Sequence, residues 1–455
     1  MITSAHLRRS RSHNAKWESL CERYLPIKTH DSIWRYSRPS YENDAEQGWK
    51  LHISATILSA TRTFALVAPY LKKANVLFKA PSSLEELEKL NSGLYYGYSQ
   101  VGKFITIYPR NTSEAVSMAR DLDRLTTGRP GPRIPFDSRF AVDSSVYYRY
   151  GSFGLQLSDG SMTDALRDPD GNLVEDSRER KPEWIVDPFI EPHACASRSS
   201  NLGTAPFRVV QALSQRGKGG VYRAMDLRFD PPRPCIIKQG RAGGEISWDG
   251  RDGTWWLKRE RQALESLARA GIPVPIVYAT FKIEPHYYLV MEQVEGETLQ
   301  TFLEKRQRRL SIRRVLEFAR QISSLLARIH RAGWLWLDCK PANLILTKNG
   351  KLRPLDFEGA CSIRRSVSSD WQTPAFKSPG SISGENCPSP SEDIYALGVT
   401  CYFLLTGRLP ESPNRKSMFG RDVPTQLRSV IEVLLSPDPQ VRPRAEDLTT
   451  LLAAC

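Results

Sequence analysis

Asp338-Cys339-Lys340-Pro341-Ala342-Asn343, followed by Asp356-Phe357-Glu358, is the stretch that decides how this 455-residue chain is read. Asp338, Lys340 and Asn343 fall within one tight loop, so they can face one ligand. Leu344 to Thr347, a Lys348-Asn349-Gly350 turn and Leu352 to Leu355 predict a β-hairpin that returns Asp356 to the same place. Phosphoryl transfer asks for an Asp beside the accepting hydroxyl and a Lys near the moving phosphate. It also asks for an Asn and a second Asp to hold a divalent cation.

Upstream, Gly217-Lys218-Gly219-Gly220-Val221-Tyr222 sits between β-like runs. Without Cβ atoms, such a turn lets backbone N–H groups approach phosphates. Cys235-Ile236-Ile237-Lys238 ends a strand pattern on a lysine, and Glu260 in the helical run KRERQALESL can pair with it. From Phe207 the pattern is strands first, then long helices. Residues 206–455 resemble the protein kinase superfamily, which implies an N-lobe over 206–293 and a C-lobe over 294–455. The resemblance implies Asp338 as catalytic base, Lys340 as stabiliser of the γ-phosphate, and Asn343 and Asp356 as Mg2+ ligands. It implies ATP held by Gly217, Gly219, Gly220, Val221, Lys238 and Glu260, with a hinge at Met291, Glu292 and Val294. Asp393 resembles the aspartate that braces the catalytic loop, and Arg442 the late buried arginine.

The departures from that pattern are specific. Trp336-Leu337 replaces the usual His-Arg before the catalytic aspartate, which argues against activation through a phosphorylated loop. Glu358 replaces the glycine of D-F-G. Ser378-Pro379-Gly380 stands where A-P-E is expected, so Arg442 is expected to lack its glutamate. The segment GRAGGEISWDGRDGTWW, between Lys238 and Glu260, is longer than usual and reads as a substrate contact or a solvent loop. None of these changes touches the phosphate and metal set, so an active enzyme is expected.

The N-terminal half alternates short strand and helix patterns from Trp49 to Phe153, an α+β reading. Lys50 and His52 stand at i and i+2 on a predicted strand and face one side of it. Lys79 ends a second strand, Lys103 begins a third, and Arg149 lies in YYRYGSF. Such a set can bind phosphate or move protons; structural roles for the same residues remain open at this level. The runs WKLHISAT, VLFKAPSSLEEL, NSGLYYGYSQVGKFITIYP, RPGPRIPFDSRF and VYYRYGSF are similar to the N-terminal lyase domain of class III lanthipeptide synthetases. DPDGNLVEDSRERKPEWIVDPF resembles the segment those enzymes place before their kinase.

That resemblance implies a kinase that phosphorylates Ser/Thr of a ribosomal precursor peptide and a lyase that eliminates the phosphate, leaving dehydroamino acids. Lys50 would be the general base, His52 the general acid, and Lys79 the stabiliser of an enolate-like intermediate. Lys103 and Arg149 would hold the phosphate, with Arg133 and Arg139 as further candidates. The expected organisation is a basic arm over 1–34, the lyase-like domain over 35–153, a linker over 154–205 and the kinase over 206–455. The family continues into a cyclase domain, whereas this sequence ends at Cys455. Three expectations follow: the products stay as dehydroamino acids, or a separate cyclase partner closes the rings, or the chain is a truncated or diverged relative. Two other readings stand beside this one. One is a Ser/Thr kinase whose N-terminal domain only binds peptide; the other is a non-catalytic scaffold.

Composition narrows the class further. No apolar run reaches the ~20 residues a membrane helix needs; Ile394 to Leu405 comes nearest. The formal net charge of +14 favours acidic partners. The arginine runs lack interleaved stacking aromatics, so no nucleic-acid partner is expected. The run from Lys305 to Arg314 reads as a solvated helix face. The eight cysteines form no C-x-x-C pair and no zinc spacing, which fits a reducing, cytoplasmic compartment.

Overall fold

The computed structural model describes residues 2–28, 33–42, 44–129, 131–157, 163–189, 206–306, 310–364, 373–379, 388–410, 419–420 and 423–455. Alternation organises the N-terminal domain. Trp49, Leu51 and Ile53 point into its core, so Lys50 and His52 must occupy the opposite face of the same strand. That strand, Gln47–Ile53, lies within a seven-stranded antiparallel sheet. The spatial order is Ile27–Lys28, Trp34–Tyr36, Leu77–Pro81, Ile105–Tyr108, Gln47–Ile53, Val146–Ser152 and Ser138–Arg139. Helices Ala60–Lys73 and Thr112–Thr126 bury Phe64, Val67, Leu71, Met118 and Leu122 in the same core as Leu51 and Ile53. Asn111 caps the second helix by accepting from the Glu114 N–H.

Two boundaries differ from the sequence reading. The supposed basic arm contains a helix, Ile2–Tyr24, that docks on the domain. Trp17, Cys21 and Tyr24 recur at helical spacing and are buried, with Trp17 edge-on to Phe64 at 5.0 Å. Trp17→Ala is expected to destabilise this domain by about 3–5 kcal/mol, read as a lower urea midpoint for its unfolding. The supposed linker also carries structure. Ala165–Arg167 pairs with Leu173–Glu175, and Phe189 stacks on Tyr148 at 3.9 Å. Its remainder, 190–205, lies outside the described residues.

The C-terminal half is a two-lobed kinase fold. Its N-lobe sheet runs Phe207–Arg216, Gly219–Asp226, Arg233–Gly240, His286–Glu292 and Val277–Ile283, with helix Gly253–Arg269 packed on it. The C-lobe gathers helices Ile312–Arg331, Pro390–Thr406, Thr425–Leu434 and Ala445–Ala453 around one core. Ile394 to Leu405 is the buried middle of the second of these. No helix among the described residues is long and apolar enough to cross a membrane.

The glycine-rich insertion between Lys238 and Glu260 is not a solvent loop. Trp248 packs against the N-terminal core and meets the His13 ring edge-on at 5.5 Å. The insertion thereby joins the two domains.

Candidate active sites

A cavity of about 500 Å3 lies between the kinase lobes. Gly219, Gly220, Val221, Lys238, Glu260, Met291, Glu292, Val294, Asn343 and Asp356 all line it. Gly217 does not. Its N–H donates to Ser92 O in the N-terminal domain at 2.9 Å, so its expected place on the nucleotide is corrected to a domain contact. Glu292 donates its N–H to Ile276 O and binds Arg353 through its carboxylate at 2.5 and 2.8 Å. Its carboxylate is thereby held by Arg353 while the residue lines the cavity.

Lys238 Nζ sits 2.6 Å from Glu260 Oε1 and 3.0 Å from Asp356 Oδ1. Burial works against ionisation of Asp356, but Lys238 and Lys218 hold its carboxyl well below the usual carboxylate range. Asp338 is tied down on every side. Asn343 Nδ2 donates to it at 2.6 Å, Lys340 Nζ lies at 2.8 Å, and Thr373 Oγ1 donates at 2.8 Å while accepting from Lys340 at 2.6 Å. Thr373 escaped the sequence reading because nothing local marks it.

Asp356 and Asn343 present oxygen donors to one cavity and fit a hard cation that takes its other ligands from phosphate and water. Among the described residues no group of three His, Cys, Asp or Glu could hold a metal unaided.

The departures have structural counterparts. Trp336 is fully buried, stacks on Phe357 at 5.6 Å, and donates its indole N–H to Leu355 O and Asp356 O, both at 3.2 Å. It thus supports the backbone of Leu355 and Asp356 from the position where a histidine was expected. Leu337 closes a small apolar cluster with Leu335 and Cys361. Asp393 accepts from the Trp336 and Leu337 N–H groups at 3.0 and 2.6 Å and meets His330 at 2.8 Å, the bracing expected of it. Arg442 does have an acidic partner, contrary to expectation. Glu392 lies 3.6 Å away and accepts from Ser378 Oγ at 3.0 Å.

The N-terminal site is a grid on one sheet face. Lys79, Thr106, His52, Tyr147 and Arg139 are successive cross-strand partners, and Lys50 opposes Arg149 in the neighbouring row. Cross-strand partners share a face, so register alone gathers these side chains. Arg139 Nε donates to Tyr147 Oη at 2.9 Å, whereas Arg133 is an exposed loop residue. Lys79 Nζ lies 4.4 Å from the centre of the Trp34 ring.

Two carboxylates that the sequence reading missed complete the grid. Asp137 Oδ2 meets His52 Nδ1 at 2.5 Å, and its Oδ1 lies 3.7 Å from Lys103. Asp176, from the supposed linker, forms an ion pair with Arg149. Burial, and then the Arg149 charge, push Lys50 down to about 7. Burial outweighs Asp137 and brings His52 down to about 4; it also lowers Lys103. In the free chain the imidazole is neutral and donates Nδ1–H to Asp137. The site therefore offers an amine that can be neutral near neutral pH, an oriented imidazole, and cations suited to phosphate.

Two family models match this chain in the same order as its two sites. Residues 24–201 match the RamC N-terminal domain, and residues 254–453 match the protein kinase domain. The chain therefore joins a RamC-type N-terminal domain to a protein kinase domain. The glycine-rich turn and Lys238 precede the matched kinase residues, and the fold brings them to the same cavity.

Among relatives, the chain is 30% identical over 397 residues to the probable SapB synthase of Streptomyces coelicolor, covering 83% of this chain and 42% of that protein. It is 32% identical over 270 residues to serine/threonine-protein kinase F of Synechocystis sp., covering 53% of this chain and 54% of the relative. It is also 32% identical over 209 residues to serine/threonine-protein kinase PknL of Mycobacterium tuberculosis, covering 44% of this chain and 50% of the relative. The chain thus spans about half or less of each of these proteins.

Proposed function

We propose that this chain is a bifunctional peptide dehydratase of the lanthipeptide type. Its kinase half phosphorylates Ser or Thr of a ribosomal precursor peptide with ATP, and its N-terminal half eliminates that phosphate. The observation that carries the proposal is the grid of Lys50, Arg149 and the His52–Asp137 pair, in one chain with a complete phosphoryl-transfer set.

In the first step Asp338 accepts the hydroxyl proton as the oxygen attacks the γ-phosphorus and ADP leaves. Lys340 lies beside the transferred group, and Lys238, fixed by Glu260, aligns the nucleotide. Asn343 and Asp356 would hold Mg2+, which supplies charge neutralisation on the phosphates. In the second step neutral Lys50 takes the Cα proton of the phosphorylated residue. Electrons from that bond form Cα=Cβ, and the Cβ–O bond breaks. Lys79 stabilises negative charge gathering on the carbonyl oxygen. Lys103 and Arg149 hold the departing phosphate, and His52 protonates it. A bound phosphate dianion favours the imidazolium, for which Asp137 already holds Nδ1–H. The proposed setting is cytoplasmic.

Neutral Lys50 is the working base, and its neutral fraction grows as pH rises. His52 must carry a proton to serve as the acid, and in the free chain it loses that proton at about 4. The elimination kcat/KM on a phosphopeptide is therefore expected to hold level between about 4 and 7, where the two requirements offset, and to fall above about 7, as a pH–rate profile will show. Incubating the chain with a Ser/Thr peptide, ATP and Mg2+ and weighing the product tests the assignment. A net loss of one water per modified residue is expected. Phosphate that stays on the peptide would reduce the chain to a kinase with a binding domain.

A further inference from the structure

Glu358, the residue that replaces the D-F-G glycine, has a partner across the nucleotide cavity. Lys218 Nζ of the glycine-rich turn lies 2.6 Å from Glu358 Oε2, with the two side chains only 17% and 14% exposed. Both residues line the cavity, one from the N-lobe turn and the other two positions after Asp356. Their bond therefore crosses the space in which phosphates would lie.

The turn is also held from behind. Lys218 O accepts from the Arg241 N–H at 2.7 Å, and the Arg241 guanidinium donates to Arg216 O at 2.7 Å and to Gln215 Oε1 at 2.6 Å. The same guanidinium lies 4.8 Å over the Tyr98 ring of the N-terminal domain. Gly217 completes the hold: a Cβ there would fall 1.7 Å from Asn91 O, so no side chain could keep the contact. A turn gripped in this way cannot rely on free hinging to cover its ligand. The Lys218–Glu358 bond is the contact that ties its front edge to the opposite lobe.

We propose that Lys218 and Glu358 form a clasp that positions the glycine-rich turn over the nucleotide phosphates, and that glutamate replaces glycine in this chain for that purpose. The inference rests on the kinase reading above. Opening the clasp admits and releases nucleotide. Closing it aligns the turn's N–H groups with the phosphates and keeps water out. Both are positioning residues, since they act through the turn and not on the reacting atoms.

The test is stopped-flow release of a fluorescent ADP with Mg2+ from the full chain, with a thermal melt of each variant to report folding. Lys218→Met and Glu358→Gln are each expected to speed release about tenfold, the worth of one charge-assisted hydrogen bond. The exchange Lys218→Glu with Glu358→Lys is expected to bring release back to within about threefold of the parent chain. Slower or unchanged release from Glu358→Gln would overturn the clasp, because it would mean that Lys218 serves the phosphates directly. So would an exchange as leaky as the single variants. A parent chain that binds no nucleotide would overturn the kinase reading and the clasp with it.

Discussion

Asp338→Asn is expected to lower peptide phosphorylation by about 10²–10⁴-fold, the range for removing a positioned general base. The change is nearly isosteric, and Asp338 is not among the residues lining the nucleotide cavity. Nucleotide affinity is therefore expected to hold while kcat falls. The geometry explains the size of the effect. Asn343, Lys340 and Thr373 all point donors at the Asp338 carboxylate. An amide at that position loses one acceptor and turns an NH2 toward groups that now donate to the carboxylate, among which the Lys340 ammonium can only donate. It also cannot take the hydroxyl proton. Elimination from a ready-made phosphopeptide is expected to be untouched, since the site proposed for it lies in the other domain. Equal loss in both assays would mean that the variant had damaged the fold and not the base.

Lys50→Ala is the mirror experiment. With ATP and Mg2+ present, the peptide is expected to be phosphorylated at the parent rate and then to accumulate as phosphopeptide. Elimination is expected to fall by about 10²–10⁴-fold. Lys50 is the residue whose environment suits it to the Cα proton. Burial and Arg149 bring it to about 7, so a sizeable fraction is neutral under ordinary conditions. An unperturbed lysine would be almost wholly charged and inert as a base. Intact-mass measurement over time separates the two steps. Dehydration at the parent rate in Lys50→Ala would remove this residue from the mechanism.

The kinase half was legible because its chemistry is compressed into short runs. D-x-K-P-x-N brings Asp338, Lys340 and Asn343 together within one loop, and the hairpin after it fixes where Asp356 returns. The pair Lys50 and His52 was legible through strand alternation. Partners supplied from a distance were not. Asp137 reaches His52 across 85 residues and Thr373 reaches Asp338 across 35. Nothing in their local sequence separates them from the many surface acids and hydroxyls. Asp176 was hidden for a different reason. It lies in a run rich in Asp, Pro and Gly, which reads as linker until Arg149 is seen to need a counter-charge. The first helix was hidden by its arginines, although Trp17, Cys21 and Tyr24 already carry the helical spacing. Gly217 illustrates the opposite error. Its type and position suit a phosphate turn, and only the packed domains show that its lack of a side chain serves Ser92 and Asn91.

Elimination of phosphate by the N-terminal grid is what makes this chain a dehydratase and not a kinase with a binding domain. The most direct measurement gives the chain a synthetic phosphoserine peptide without nucleotide and follows the peptide by mass and by thiol trapping. The predicted product is dehydroalanine, formed with release of inorganic phosphate and lost in Lys50→Ala. Recovery of intact phosphopeptide, or of serine through simple hydrolysis, would contradict it.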